Sequence, residues 1–482
     1  MRKSLSLFLL LLLVTQTTAK RLPRSEASTL AFTHVTVIDM TGTPPKPDMT
    51  VVVTGDRITD LGPSGKVRIP RGAQIIDATG KFLIPGLWDM HHHIKETERT
   101  FPLFIANGVT GVRNMGGDFQ KLFEWRDAVA SGRLLGPRIV ACGPVVDGPH
   151  PANPDHGIPV TNAEEGKQAV KFLKRSGADF VKVYDGIPRD AYFAIADESK
   201  KQGLPFVGHI PGAVTMAEAS SAGEKSVEHL GTFLEGSSSA ETELRNWPSP
   251  PVKNGDFSVI PIRIAARGNR MLETYSEQKA AQLLALLARN NTWQVPTLLA
   301  KQVNTFIDEI SKVPDVNLTA PSFKYVPSSI RDGWSPDKNF FYRYRTPEFV
   351  AYQKKLFQKE LETVGAMNRA GVPILAGTDG GPYTVPGFGL HQELALLVKA
   401  GLTPMEALRA ATINPAKFLG KSDVLGTVEQ GKIANLVLLE KSPLEDIRNT
   451  ERIAGVVVNG RFFPRPVLRM MLANVEKAAN QR

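Results

Sequence analysis

Two hydrophobic patterns divide this chain of 482 residues. Residues 29–84 alternate β-branched and polar positions and are broken by Gly, Pro and Asp, a pattern that predicts short strands. The same alternation returns near the end of the chain, in GTVEQGKIANLVLLEK and RIAGVVVNGRFF. We therefore expect one small β-sandwich domain built from both termini, over residues 20–84 and 423–482.

Between these ends, short apolar runs alternate with segments of helical period, which is typical of parallel βα units. This alternation predicts a (β/α)8 TIM barrel over residues 85–422, with catalytic groups at the carboxyl ends of its strands. The helical candidates are 118–131, 163–176, 189–202, 214–223, 277–290, 347–370 and 391–413. The eight strands are expected to end near His91, Asn114, Gly143, Tyr184, His209, His229, Pro296 and Asp379.

Two stretches interrupt this rhythm, 231–276 and 300–346, and each follows a predicted strand. Insertions at that end of a barrel are usually lids or substrate walls, although a surface insertion without ligand contact stays an alternative. The second stretch contains NFFYRYR, in which the guanidinium groups of Arg343 and Arg345 could bind a substrate carboxylate through paired hydrogen bonds.

The first residues, MRKSLSLFLLLLLVTQTTAK, have a basic start, an apolar run and small residues before a predicted cleavage point. This pattern predicts a signal peptide over residues 1–19, with an uncleaved anchor as the alternative. The only cysteine, Cys142, excludes a disulfide within the chain. We expect a soluble exported protein, periplasmic or secreted, without stable membrane insertion.

The composition changes this picture little, because 42% hydrophobic and 22% charged residues are ordinary for a soluble globular protein. The formal charge of +10 is scattered, without a Lys/Arg block that could follow a phosphate backbone. We therefore expect a small-molecule or dipeptide substrate rather than nucleic acid. No internal repeat indicates a propeller, and the sequence is compatible with a homo-oligomer.

His91 and His93, in PGLWDMHHHI, are two positions apart on a predicted strand and therefore face the same side. Two imidazoles directed at one point are a good metal pair. His92 faces away. Asp89, a further two positions back, could support the pair from beneath or make a plain structural hydrogen bond.

Four more residues at strand ends complete a candidate set for two divalent ions. His209 and His229 close consecutive strands and are predicted to bind a second ion. Lys182, between two valines of a barrel strand, would bind metal only after reaction with carbon dioxide to a carbamate; the alternative is a lysine paired with an acid or extended to solvent. Asp379 ends the eighth strand in AGTDGG and could bind metal or cap a helix.

These roles predict hydrolysis by a hydroxide whose pKa is lowered by two metal ions about 3.5–4 Å apart. Asp379 would accept the proton of the attacking water and pass it to the leaving group. Tyr184 is the first candidate for a hydrogen-bond donor to the oxyanion, with a structural tyrosine as the alternative. His150 is a weaker candidate for the same role, and His156 is weaker still. His391 and Glu393 could brace the site or cap a helix, and His34 is predicted to be structural.

Several blocks resemble the amidohydrolase superfamily, in its imidazolonepropionase-like and Xaa-Pro dipeptidase (prolidase-like) branch. They are PGLWDMHHH, GADFVKVY, GHIPGAVTMAEASSAGEKSVEHL, GTDGG and GLTPMEALRAATINPAKFLG with GTVEQGKIANLVLL. The resemblance implies a (β/α)8 barrel with a terminal β-sandwich and two zinc ions. It assigns one ion to His91, His93 and Asp379, the other to His209 and His229, and a carboxylated bridging role to Lys182.

The sequence thus predicts a metal-dependent amidohydrolase that cleaves an amide or peptide bond of a small substrate, such as a dipeptide, an Xaa-Pro dipeptide or an N-acyl amino acid. Hydrolysis of a cyclic amide or a lactone is the alternative within enzymes. From another class, an exported binding protein that kept the fold is the alternative, and it would need none of the six ligands.

Overall fold

The computed structural model describes residues 29–248, 257–310, 320–334, 338 and 340–481. The predicted signal peptide lies outside the described residues. The structure begins with strands that pair around β1, which is antiparallel to β2 and parallel to β4 and β5. These strands are β1 (Thr29–Val37), β2 (Lys46–Thr54), β3 (Arg57–Pro63), β4 (Gln74–Asp77) and β5 (Phe82–Pro85).

The central region contains short parallel strands that are buried and alternate with helices, as the sequence predicted. Two strands were not predicted, β9 and β10, which lie in the loop after the third barrel strand. The strands are β6 (Leu87–His92), β7 (Val109–Asn114), β8 (Arg138–Ala141), β9 (Val145–Asp147), β10 (Gly157–Pro159), β11 (Val181–Val183), β12 (Phe206–Gly208), β13 (Ser226–Glu228) and β14 (Trp293–Val295).

Backbone hydrogen bonds connect these strands beyond their named pairings. Asp179 N donates to Ala141 O at 2.9 Å and joins β8 to the start of β11. The stretch 373–378 takes the place of the expected eighth strand: Leu375 N donates to Gln294 O at 2.9 Å, and Met90 N donates to Ala376 O at 2.8 Å. It forms only one isolated parallel bridge, Gln294 with Ile374, and is not a regular strand. The domain is an α/β, TIM-barrel-like arrangement.

The chain returns to the first sheet with β15 (Leu436–Leu439), β16 (Ile453–Val458) and β17 (Arg461–Pro464). β15 pairs antiparallel with β5, and the strand order is β17-β16-β15-β5-β1-β2-β3, with β4 on β1. Strands from both ends of the chain therefore lie in one sheet. Its inner face has a core of its own, which includes Phe32, Val53, Leu83 and Val457.

The helices cover the predicted segments closely, with one difference. The candidate 391–413 is interrupted because Gly401 has φ of +105° and Thr403 caps a new helix by accepting from Glu406 N. The helices are α1 (Thr100–Ala106), α2 (Phe119–Ala130), α3 (Ala163–Arg175), α4 (Arg189–Gln202), α5 (Met216–Ala222), α6 (Gly231–Gly236), α7 (Glu241–Arg245), α8 (Val259–Glu273), α9 (Glu277–Asn290), α10 (Leu298–Ile310), α11 (Ser328–Arg331), α12 (Phe340–Arg343), α13 (Pro347–Arg369), α14 (Phe388–Lys399), α15 (Pro404–Ala410), α16 (Ile413–Phe418) and α17 (Arg465–Ala479).

Among the described residues, every helix is too short or too polar to cross a lipid bilayer. The helices pack around the central strands in one large hydrophobic core. Because this core fixes the strands on their outer side, their carboxyl ends are held in fixed positions, and the candidate ligands lie at those ends.

Candidate metal centre

The two-residue spacing of His91 and His93 directs both rings at one point, as predicted. His91 lies in β6, and His93 follows its last residue. His91 Nε2 is 3.2 Å from Asp379 Oδ1, and His93 Nε2 is 3.6 Å from the same oxygen. One ligand atom from each of the three residues lies within 4.8 Å of the others. Two imidazoles and a carboxylate at this separation can hold a divalent metal ion.

His209 and His229 extend this group into a cluster of four imidazoles. They follow β12 and β13 directly. The ring centroids of His209 and His229 are 4.9 Å apart, and those of His91 and His229 are 5.2 Å apart. Four imidazoles from three strand ends therefore converge on one space.

Three of these rings are held from outside through Nδ1, which leaves Nε2 for the centre of the cluster. Outer hydrogen bonds of this kind fix the ring orientation and the tautomer of metal-binding histidines. The bonds are His91 Nδ1 to Glu228 Oε2 at 2.7 Å, His209 Nδ1 to Asp185 Oδ1 at 3.1 Å and His229 Nδ1 to Thr297 Oγ1 at 2.6 Å.

Lys182 lies in β11 beside the cluster, and its side chain is buried. Its Nζ has no hydrogen-bond partner among the described residues. Burial lowers the pKa of the amine, and the attraction of Glu228 does not offset this effect. A buried amine without an acceptor is an unsatisfied group, whereas its neutral form can react with carbon dioxide. Lys182 thus fits the carbamate prediction better than either alternative, an acid partner or extension to solvent.

Asp379 is ionised at neutral pH. Burial raises the pKa of its carboxyl, but His91 and His93 more than offset this and hold the pKa well below its usual range. Asp379 and His229 both have positive φ, 65° and 66°, which is uncommon for residues other than glycine. Strain of this kind costs about 1–3 kcal/mol at each residue and concentrates at functional sites.

A buried ion pair behind His91 was not predicted from the sequence. Glu228 accepts two hydrogen bonds from Arg113 Nη2, at 2.8 and 2.9 Å, and both side chains are buried. Burial raises the pKa of Glu228, but the charge of Arg113 and the bond from His91 lower it far more. The only signal in the sequence was position, since Glu228 directly precedes His229 in SVEHLG.

Asp89 and His92 form the layer beneath the pair. Asp89 accepts from the backbone N of Thr378 at 3.0 Å and from its Oγ1 at 2.7 Å. His92 Nδ1 lies 3.1 Å from the same hydroxyl and thus faces away from the cluster, as expected. Asp89 therefore supports the site by holding the residue that precedes Asp379.

Glu393 contributes to the site indirectly, through hydrogen bonds with the first turn of α10. Its buried carboxylate accepts from Leu298 N at 3.1 Å and Leu299 N at 2.7 Å, in the first turn of α10. Thr297, the partner of His229, directly precedes this turn. Glu393 therefore caps the start of α10, a helix other than its own, and this turn follows the residue that holds His229.

Two histidines outside the cluster, His391 and His34, have structural contacts. His391 is buried, and its Nε2 donates to the carbonyl oxygen of Asn107 at 3.1 Å. His34 lies in the terminal sheet, where its Nδ1 is 2.8 Å from Asp48 Oδ1.

The cluster lines a cavity of about 270 Å³, the inner cavity, together with Asp147, Asn153 and other residues of the loop after β8. Tyr184 lines it and stacks on His209 with ring centroids 4.3 Å apart. Burial raises the pKa of Tyr184 to about 12, so its hydroxyl remains a donor. His150 is exposed and is not among the lining residues, whereas His156, ranked below it from the sequence, lines the cavity.

The donor set fits the predicted metals. His91, His93 and Asp379 would hold one ion, and His209 and His229 a second, with Lys182 between the two groups as a carbamate. Nitrogen and oxygen donors in this proportion suit zinc and other divalent first-row ions. The chemistry that such a site supports is hydrolysis by an activated water.

Comparison with known proteins places the chain in a family. The Amidohydrolase family model matches residues 82–463. The chain is 23% identical over 454 residues to an ochratoxinase of Aspergillus niger, covering 80% of this chain and 76% of the relative. It is 40% identical over 83 residues to an imidazolonepropionase of Pseudomonas syringae pv. tomato, covering 17% of this chain and 21% of that one.

The fold resembles that of a solved Xaa-Pro dipeptidase with methionine bound in its active site. The TM-score is 0.64 at 22% identity, over 91% of this chain and 100% of the other. The family match covers most of the chain and includes every candidate ligand. The chain therefore belongs to the amidohydrolase family, which confirms the hydrolase class that its motifs predicted.

Proposed function

We propose that this protein is a binuclear metal-dependent hydrolase that cleaves an amide or peptide bond of a small substrate of the dipeptide, Xaa-Pro or N-acyl amino acid type. His91, His93 and Asp379 hold one ion, and His209 and His229 hold the other. Carboxylated Lys182 bridges them, and zinc is the metal. We further propose that 85–422 is a closed (β/α)8 barrel and that the sheet built from 20–84 and 423–482 forms a β-sandwich.

One observation carries this proposal: Nζ of buried Lys182, which has no hydrogen-bond partner among the described residues, lies beside four converging imidazoles. A lysine that remained an ordinary amine here would lose solvation without gaining a partner. A carbamate would replace the amine with two anionic oxygens, which bound divalent ions would favour. The binding-protein alternative offers no reason to keep such a group.

When bound, two divalent ions supply Lewis acidity, which lowers the pKa of the attacking water and polarises the scissile carbonyl. Asp379 accepts a proton as the water oxygen adds to the carbonyl carbon. It then donates that proton to the leaving nitrogen as the C–N bond breaks, so the products are a carboxylic acid and an amine. The hydroxyl of Tyr184 donates a hydrogen bond to the carbonyl oxygen as negative charge develops there.

The substrate class draws support from the relatives. An ochratoxinase and an Xaa-Pro dipeptidase are among the proteins that the chain resembles over most of its length. The size of the inner cavity, about 270 Å³, also favours a small acyl group over a polymer.

We also propose that residues 1–19 are a cleaved signal peptide and that the mature protein is soluble in the periplasm or outside the cell. The mass of the protein recovered from its native host would show this directly. A mature chain that still contains the leader would contradict cleavage.

The test is to remove metal with a chelator, restore it with zinc, and measure hydrolysis of dipeptides, N-acyl amino acids and lactones. We expect about two zinc ions per chain and amide hydrolysis only in the restored protein. Lys182→Ala should lose activity that short carboxylic acids partly restore, because they can replace the carbamate. A fully active Lys182→Ala would disprove the bridge, and hydrolysis of lactones alone would disprove the amide substrate.

A further inference from the structure

A second cavity borders Asp379, with a volume of about 680 Å³, and we call it the outer cavity. Most of its walls come from the two stretches that interrupt the barrel, with α8 in the first and most of α10 and all of α12 in the second. Helix α13 and the loop 379–384 complete the lining. Ile260 and Ile264 of α8 face Val303 of α10 and Tyr342 of α12 across this space. The two insertions therefore meet around one cavity, at the mouth of the metal centre.

The walls of the outer cavity are apolar where a protein surface is usually polar. Phe257 and Ile264 both line it and are 37% and 45% exposed. Exposed apolar side chains that line a concave surface of this size typically mark a ligand site. The exposed side chains of Phe257 and Ile264 therefore favour binding of an apolar part of the substrate in the outer cavity.

Lys301 supplies a positive charge in the same wall. It lies one helical turn after Thr297, whose hydroxyl holds His229, and its own side chain is 30% exposed. Its Nζ is 3.8 Å from Glu360 Oε1, beyond hydrogen-bond distance, and that oxygen has no hydrogen-bond partner among the described residues. The two side chains form a salt bridge, but the distance is too long for a hydrogen bond, so the ammonium of Lys301 can still donate to an anion that enters the cavity.

The sequence also suggested Arg345 as a ligand for the substrate carboxylate, but its guanidinium already has partners within the protein. Its guanidinium donates to the backbone oxygens of Asn304 and Thr305 and lies 3.2 Å from Asp308 Oδ2. Its side chain is only 4% exposed. Arg343 is not among the residues that line the outer cavity. Arg345 thus fixes the wall, and Lys301 is the better anion ligand.

The direction of the substrate follows from Asp379, which borders both cavities. The group that protonates the leaving nitrogen must lie on the leaving-group side of the scissile bond. Since Asp379 borders both cavities, the leaving nitrogen that it protonates would lie between them. The carboxylate of the leaving amino acid suits the cation of the outer wall, Lys301, so this part of the substrate fits the outer cavity and the acyl group fits the inner one.

We propose that the outer cavity binds the leaving amino acid, with its carboxylate on Lys301 and a large apolar side chain between α8 and α12. This inference rests on the proposed amide hydrolysis and narrows its substrates. N-acyl amino acids and dipeptides that end in phenylalanine or leucine are preferred over those that end in glycine. The expected preference in kcat/KM is about 30-fold or more, from burial of one large apolar side chain.

The first test uses the zinc-loaded full chain with N-acetyl-L-phenylalanine and N-acetylglycine. Ile264→Trp fills the outer cavity and should lower kcat/KM for the phenylalanine substrate by about 10-fold or more, with little change for glycine. Ile262→Trp is the matched control, because Ile262 is 54% exposed on the same helix and does not line the cavity. Equal effects of the two variants, or equal wild-type rates for the two substrates, would overturn the proposal while leaving amide hydrolysis intact.

The second test does not depend on turnover. Calorimetry should show that free L-phenylalanine binds the zinc-loaded protein more tightly than glycine does, and that Lys301→Met weakens this binding by about 10-fold or more. L-Phenylalaninamide, which has no carboxylate, should bind Lys301→Met and the wild type alike. If Lys301→Met leaves phenylalanine binding unchanged, the carboxylate assignment is wrong, even in a protein that hydrolyses no amide.

Discussion

The inner and outer cavities meet at Asp379, yet they are built from different elements. The inner cavity is lined by side chains at the ends of short buried strands, and its imidazoles are held by a second set of hydrogen bonds. The outer cavity is lined mainly by helices of the two insertions, together with α13 and the loop 379–384, and some of its apolar side chains are partly exposed. Our proposal thus places the chemistry that needs fixed ligand positions at the strand ends of the TIM-barrel-like domain, and selectivity on segments that can vary without disturbing those strands.

This difference predicts that changes in the inner cavity lower kcat for every substrate, whereas changes in the outer cavity alter the preference among substrates. The largest effect is expected for Asp379→Asn, which cannot move the proton. The value of kcat should fall by about 10²–10⁴-fold, with most of the zinc retained. Steady-state kinetics and metal analysis measure the two quantities. Asp197→Asn, an exposed acid of α4, is the control, and unchanged turnover in Asp379→Asn would refute its role as base.

The next effect concerns the ion pair behind His91. Glu228→Gln should weaken zinc binding by about 10–100-fold and also destabilise the fold, because Arg113 is left buried without a counter-charge. Zinc titration and thermal unfolding measure these effects. Glu224→Gln is the matched control: Glu224 is also buried, burial raises its pKa to about 8, and its partner is Tyr192 outside the site. Equal zinc affinities for the two variants would show that Glu228 has no part in holding the metal ligands.

A smaller effect separates two oxyanion candidates. Tyr184→Phe should lower kcat by about 10-fold or more for both N-acetyl-L-phenylalanine and N-acetylglycine, since one hydrogen bond to the developing charge is lost. His150→Asn should leave kcat unchanged, because His150 is exposed and does not line the inner cavity. The opposite pattern in the measured kcat values would reverse the assignment.

The last effect concerns the stability of the fold rather than turnover. Glu393 holds the first turn of α10, which lines the outer cavity and follows Thr297, the partner of His229. Burial raises the pKa of Glu393 to about 8, despite the bonds from Leu299 and Leu298. A carboxyl with a raised folded-state pKa contributes stability below its unfolded pKa, and that stability is lost as pH rises through the folded pKa. The free energy of unfolding should therefore fall between about pH 4.5 and 8, by no more than about 5 kcal/mol, because each unit of pKa shift corresponds to about 1.4 kcal/mol.

Glu393→Gln isolates this contribution, because glutamine does not ionise. Chemical unfolding at pH 5 and at pH 8.5 should show a smaller pH-dependent loss in Glu393→Gln than in the wild type. Equal losses in the two proteins would mean that other groups carry the pH dependence.

Much of this organisation could be predicted from local sequence. The strand ends near His91, His209 and His229 followed from short apolar runs, because such runs need burial and a polar residue at their end marks the mouth of the domain. The boundary between α14 and α15 did not follow, although Gly401 and Thr403 were visible, because a helical period continues across them. The sequence also did not predict that the stretch 373–378 would form an isolated bridge in place of a regular eighth strand.

The sequence by itself determined the candidate ligands and their order along the chain, since a two-residue spacing on a strand must direct His91 and His93 to one side. Only the tertiary structure decided which groups stand behind them: Arg113 with Glu228, Asp185, Thr297 and Glu393. It also shows that the guanidinium of Arg345 already donates to Asn304 and Thr305, whereas the salt bridge of Lys301 to Glu360 is too long for a hydrogen bond. The physical reason is that hydrogen bonds and burial between residues far apart in the chain depend on how the strands and insertions pack, which no local pattern encodes.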